Sequence, residues 1–113
     1  MARVKSIASR KHRELLKRAK GFKQARRTRI QTAKEAVLHA GMYAYIGRKN
    51  KKRDLRALWI TRLSAAAKEH GTSYSKFIAA LKKEKIEIDR KILSDIAATD
   101  PATFNAIFKE VVK

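Results

Sequence analysis

Arg48, Lys49, Lys51, Lys52, Arg53 and Arg56 crowd six cations into positions 48–56, within the stretch GRKNKKRDLRALWITRL. Side chains of this type at this density neutralise phosphates and release condensed counterions, and arginine also grips phosphate bidentately or stacks on bases. A second block, SRKHRELLKRAKGFKQARRTR, repeats the offer with Arg10, Lys11, His12, Arg13, Lys17 and Arg18, then Lys20, Lys23, Arg26, Arg27 and Arg29. Arg3 and Lys5 precede it and Lys34 follows it. Tyr43 and Tyr45 stand beside the first of these blocks in GMYAYIGR, and Phe22 lies within the other. Aromatics interleaved with cations stack on unpaired bases; alternatively, the two tyrosines pack on a neighbouring helix.

No comparable arrangement serves catalysis. His12, His39 and His70 are far apart and none has the spacing of a metalloprotease helix. There is no glycine-rich phosphate cradle, and the absence of cysteine removes thiol nucleophiles, disulfides and the common zinc sites while fitting a reducing cytoplasm. Asp95 and Asp100 suit helix caps and solvent contacts better than an acid/base pair. The expectation is therefore a non-enzyme with no cofactor, no metal and no small-molecule substrate.

The chain has 113 residues, with 29 Lys+Arg against 10 Asp+Glu, a net charge of +19. That self-repulsion is relieved by a polyanion. The excess is uneven: residues 1–60 hold 19 basic and 3 acidic residues, residues 61–113 hold 10 and 7. A cationic arm thus precedes a domain of ordinary charge. A hydrophobic content of 44% suffices for one modest core. No apolar run approaches the roughly 20 residues that span a bilayer, and the start lacks the apolar region of a secretory leader, so neither membrane nor leader is expected.

The elements that must position these groups read as helices. The chain has one proline and four glycines, its apolar spacings are three and four, and no stretch alternates as a strand does. Ser9 can cap a first helix that stops at Gly21. From about residue 24 to about residue 70 nothing ends the pattern, which predicts a rod of roughly 70 Å. Ile30, Ala33, Val37, Ala40 and Ala44 give it a narrow seam of mostly small residues. Gly71 should end the rod, Ser73 should cap a helix bearing Phe77, Ile78 and Leu81, and Asp89 one bearing Ile92, Leu93 and Ile96. Asp100 caps the last helix, with Pro101 in its first position and Phe104, Ile107, Phe108 and Val111 on its stripe.

At about 100° per residue, Leu55, Leu58, Trp59, Leu63 and Ala66 share one arc of the rod, which is expected to face the three short helices. The six cations just before it spread over some 200° and leave no core-facing side. Arg62 lies on the apolar arc, so it either snorkels outward or reaches nucleic acid from the domain's edge. The most basic segment lacks the broad apolar face of a membrane-binding helix. Duplex DNA attracts the same cations, but a rod charged round much of its circumference better suits a folded RNA with phosphates on several sides.

KRDLRALWITRLSAAAKEHGTSYSKFIAALKKEKIEIDRKILSDIA resembles the family of the twentieth protein of the bacterial large ribosomal subunit. The resemblance runs back through LLKRAKGFKQARRTRIQTAKEAVLHAGMYAYIGRKNKKRD and covers nearly the whole chain. Its most specific part is the pattern of Lys52, Arg56, Leu58, Trp59, Ile60, Arg62, Leu63, Ser64 and Lys68. It implies an all-α protein with a long basic N-terminal helical arm, residues 1–57, leading into a small C-terminal four-helix domain, residues 58–113. It further implies binding to large-subunit ribosomal RNA, contact with neighbouring large-subunit proteins, and a part in early subunit assembly rather than peptide-bond synthesis. Some members of the family also repress their own messenger RNA, which adds that RNA as a possible partner. A DNA-binding or nucleoid-type protein is the alternative.

Overall fold

A computed structural model describes residues 6–112, and among them every regular element is a helix. Six helices follow in order: α1 (Ile7–Arg18), α2 (Ala25–Thr28), α3 (Ile30–Glu69), α4 (Tyr74–Lys83), α5 (Arg90–Thr99) and α6 (Pro101–Val111). The chain falls into two compact units, Met1–Lys49 and Asn50–Lys113.

In the first unit α1 starts one turn earlier than expected. Ser6, not Ser9, is the cap: its hydroxyl accepts a hydrogen bond from the Ser9 amide at 3.2 Å. Both serines suit the role by type, and the earlier one gains three further residues of helix. Gly21, at φ +85°, turns the chain away after α1.

The predicted rod is not continuous from residue 24. Gln24 has φ +55°, α2 is four residues long, and Arg29 is extended at φ −85° and ψ 128°. Arg29 then serves as the entry to α3, its carbonyl accepting from the Ala33 amide at 2.8 Å. The Thr32 hydroxyl sits over the break, 2.9 Å from the Ala25 carbonyl and 3.1 Å from that of Arg29. Each carbonyl thereby gains a second donor beside the amide that already reaches it, that of Arg29 for Ala25 and that of Ala33 for Arg29. The clustered cations Arg26, Arg27 and Arg29 disfavour an unbroken helix here by repulsion at one-turn spacing. Helix α3 is 40 residues long, about 60 Å at 1.5 Å per residue. Ala19 and Ala33 are fully buried in this unit.

In the second unit α3 ends in a tight Schellman turn. Gly71, at φ +72°, donates to the Lys68 carbonyl at 2.9 Å, and Thr72 donates to that of Ala67 at 3.0 Å. Lys85 closes α4 in the same way at φ +55°, with Lys85 donating to Lys82 and Ile86 to Leu81. Ser73 caps α4 through the Lys76 amide. Asp100 caps α6: one carboxylate oxygen accepts from the Thr103 amide at 3.2 Å, the other from the Thr103 hydroxyl. Asp89 precedes α5, but only its carbonyl takes part, accepting from the Leu93 amide at 3.0 Å.

The core joins Leu63 and Ala67 of α3, Phe77 and Leu81 of α4, Leu93 of α5, and Phe104, Phe108 and Val111 of α6. Phe77 stacks on Phe108 at 5.4 Å between ring centroids, and His70 stacks on the same ring at 4.5 Å. This is the expected four-helix assembly, with α3 contributing less than its apolar arc suggested. Leu55 and Leu58 are 40% and 43% exposed, and Trp59 is half-buried and outside the core cluster. The reason is height: α4, α5 and α6 are 10 or 11 residues long, about 15 Å, and do not also cover the roughly two turns of α3 that lead back from Leu63 to Leu55. Ile92 likewise lies 52% exposed. Ser94 takes the inward place on α5, fully buried, with its hydroxyl donating to the Lys91 carbonyl at 2.9 Å.

Candidate nucleic-acid interface

Helix α3 is bare in its middle. Every residue from 38 to 58 is exposed, with no half-buried position among them, so no side of those turns is buried in the protein. A Cβ built on Gly41 or Gly47 would meet nothing within 4 Å. The residues left in the open include Leu38, Met42, Tyr43, Tyr45 and Ile46.

The six cations at 48–56 project from this bare stretch. Arg48 and Lys52, Lys49 and Arg53, and Lys52 and Arg56 are like-charged pairs at i,i+4, which weaken a helix alone in water by a few tenths of a kcal/mol each. Anions on several sides reverse that sign. Lys49 also bends back over Tyr45, its Nζ 5.4 Å from the ring centroid. One face of Tyr45 is thereby occupied by a cation, whereas Tyr43, two residues earlier, is 71% exposed.

The second block divides between elements. Arg10, Lys11, His12, Arg13, Lys17 and Arg18 lie on α1; Lys20 and Lys23 on the turn after it; Arg26 and Arg27 on α2; Arg29 at the break; and Lys34 in the first turns of α3. All are exposed. Lys17 and Arg18 also sit in the last turn of α1, where cations offset the partial negative charge of the helix end. Arg62 is exposed as well, beside Ala66, Glu69 and Ala97 at the edge of the C-terminal core. Arg3 and Lys5 lie outside the described residues.

Within the first unit, the turn after α1, α2 and one face of α3 enclose an open concavity of about 740 Å³. Phe22, Lys23, Arg26, Thr32, Glu35, Ala36, His39 and Tyr43 line it. Lys23, Arg26 and Tyr43 were legible as candidate contacts. Phe22 was noted only as an aromatic among cations, His39 only as a histidine without metal-site spacing, and Glu35 was not singled out. Glu35, His39 and Tyr43 follow one another at i,i+4, a signal the sequence did carry.

Among the described residues no group of three or more His, Asp or Glu side chains could hold a metal ion, and no helix is long and apolar enough to cross a membrane. Fold and surface thus define a class: a small, strongly basic protein whose described residues form helices only. Residues 2–107 match the family described as Ribosomal protein L20, and the chain belongs to that family. It is similar to the large ribosomal subunit protein bL20 of Roseiflexus sp. (strain RS-1), with 47% identity over 112 residues, spanning 97% of this chain and 96% of that one. It is a structural constituent of the large ribosomal subunit and not an enzyme.

Proposed function

We propose that the chain binds large-subunit ribosomal RNA directly, through residues 10–29 and 48–56, and that this binding organises the RNA early in subunit assembly. The observation that carries the reading is the bare stretch of α3: cations on several sides of a helix whose apolar residues are also uncovered. Such a helix gains nothing from being alone in water, and a folded RNA supplies phosphates on several sides together with unpaired bases for the tyrosines. In this reading residues 1–57 form the RNA-binding arm and residues 58–113 a compact helical domain that contacts RNA from its edge through Arg62 and meets neighbouring large-subunit proteins. Membership of the family and 47% identity to a bL20 protein support it.

Reconstitution of the large subunit from purified components tests the assembly role. Omitting this chain should stall particles at an early sedimenting intermediate, and adding it back should release them. Completion at an undiminished rate without it would remove the assembly role.

A further inference from the structure

The concavity of the first unit has a composition that the basic blocks alone do not explain. Two aromatic rings, Phe22 and Tyr43, and the His39 imidazole line it together with two cations, Lys23 and Arg26, and one carboxylate, Glu35. Its volume of about 740 Å³ falls within the roughly 300–1,000 Å³ that holds small ligands. A groove that only followed a phosphate backbone would have no use for the carboxylate or for the rings that line it. A base still stacked inside a duplex cannot enter it.

We propose that this concavity receives one unstacked nucleotide of ribosomal RNA, its base laid against Tyr43 and Phe22 and its phosphate held by Lys23 and Arg26. The inference rests on the RNA-binding reading above and adds a defined pocket to it. Base–aromatic stacking tolerates any base because each has a π-face. The Glu35 carboxylate can only accept hydrogen bonds, so it receives the N–H groups on a base edge and repels a second phosphate from that wall. Tyr43 suits the role where Tyr45 does not. The two lie about 200° apart round α3, and Lys49 already covers a face of Tyr45. Phe22 reaches the site because Gly21, at φ +85°, turns the chain after α1.

The test uses the full chain with large-subunit ribosomal RNA. Tyr43→Ala should weaken binding roughly ten- to hundred-fold, the value of one base stack, and leave the slope of log affinity against log salt unchanged. Tyr43→Phe, which keeps the ring, should restore wild-type affinity. Arg26→Ala should instead make that slope shallower by about one. Ultraviolet crosslinking of the wild-type complex should join a single unpaired nucleotide to a peptide containing Phe22 or Tyr43. Tyr43 is largely exposed, so its truncation leaves the fold intact, and circular dichroism of the variant checks this. Wild-type affinity in Tyr43→Ala, failure of Tyr43→Phe to rescue, or crosslinks confined to other peptides overturns the pocket while RNA binding stands. A wild-type chain that does not bind the RNA overturns the broader reading instead.

Discussion

Converting Arg48, Lys52, Arg53 and Arg56 together to glutamine removes four of the six cations from the bare part of α3. Glutamine is close to lysine and arginine in helix propensity, and the change also relieves three like-charge pairs at i,i+4, so the variant helix should be no weaker than the parent. Any loss is then a loss of binding. If each cation meets one phosphate, the slope of log affinity against log salt should become shallower by about 2.8 to 3.6, taking 0.7–0.9 per contact. A fourfold rise in salt should therefore weaken the parent about 50- to 150-fold more than the variant. Filter binding of large-subunit ribosomal RNA over a salt series reads this directly. Parallel lines for parent and variant would refute the reasoning, because they would mean that these cations face water in the complex.

Leu63→Ala should cost about 2–5 kcal/mol in urea unfolding, since Leu63 is fully buried, whereas Leu58→Ala on the exposed part of the same arc should cost under about 1 kcal/mol. Equal costs would return the core boundary to Leu55. Lys85→Gly should stabilise the chain by about 0.5–1 kcal/mol, because Lys85 closes α4 at φ +55° where glycine carries no Cβ penalty; a destabilised variant would contradict this. The Thr103 hydroxyl, then the Thr103 amide, hold the Asp100 carboxyl below its ordinary value. A depressed value contributes stability that is present above the unfolded pKa, about 3.9, and lost as pH falls through the folded one. Asp100→Asn, which keeps a cap, should therefore show a flatter loss of thermal stability below about pH 4 than the parent, and identical acid profiles would count against the cap.

The helix starts at Ser73 and at Asp100–Pro101 were legible because a capping side chain, a helix-compatible proline and an apolar stripe all agree there. So was the end at Gly71, a left-handed position that glycine fills without strain. The break at Arg29 was not. It contains neither glycine nor proline, and it depends on the Thr32 hydroxyl meeting carbonyls that are adjacent only after folding. The reach of the C-terminal core was misread for another reason. A helical wheel gives the direction in which Leu55 and Leu58 point but not how far their neighbours extend along the axis, and α4, α5 and α6 stop short of them. Trp59, by size and hydrophobicity a core residue, ends half-covered for the same cause. The cations themselves were legible from composition and spacing alone. The concavity was only half so: Glu35, His39 and Tyr43 align on one helix face, but Phe22 joins them through a turn whose direction is set by the backbone at Gly21.

Competition binding at matched salt tests the central claim most directly. With the full chain bound to labelled large-subunit ribosomal RNA, unlabelled folded RNA of the same kind should displace it at far lower nucleotide concentration than duplex DNA. Equal displacement by the two would show that the bare cationic helix reads phosphate charge alone, and the chain's RNA-specific role would fall with it.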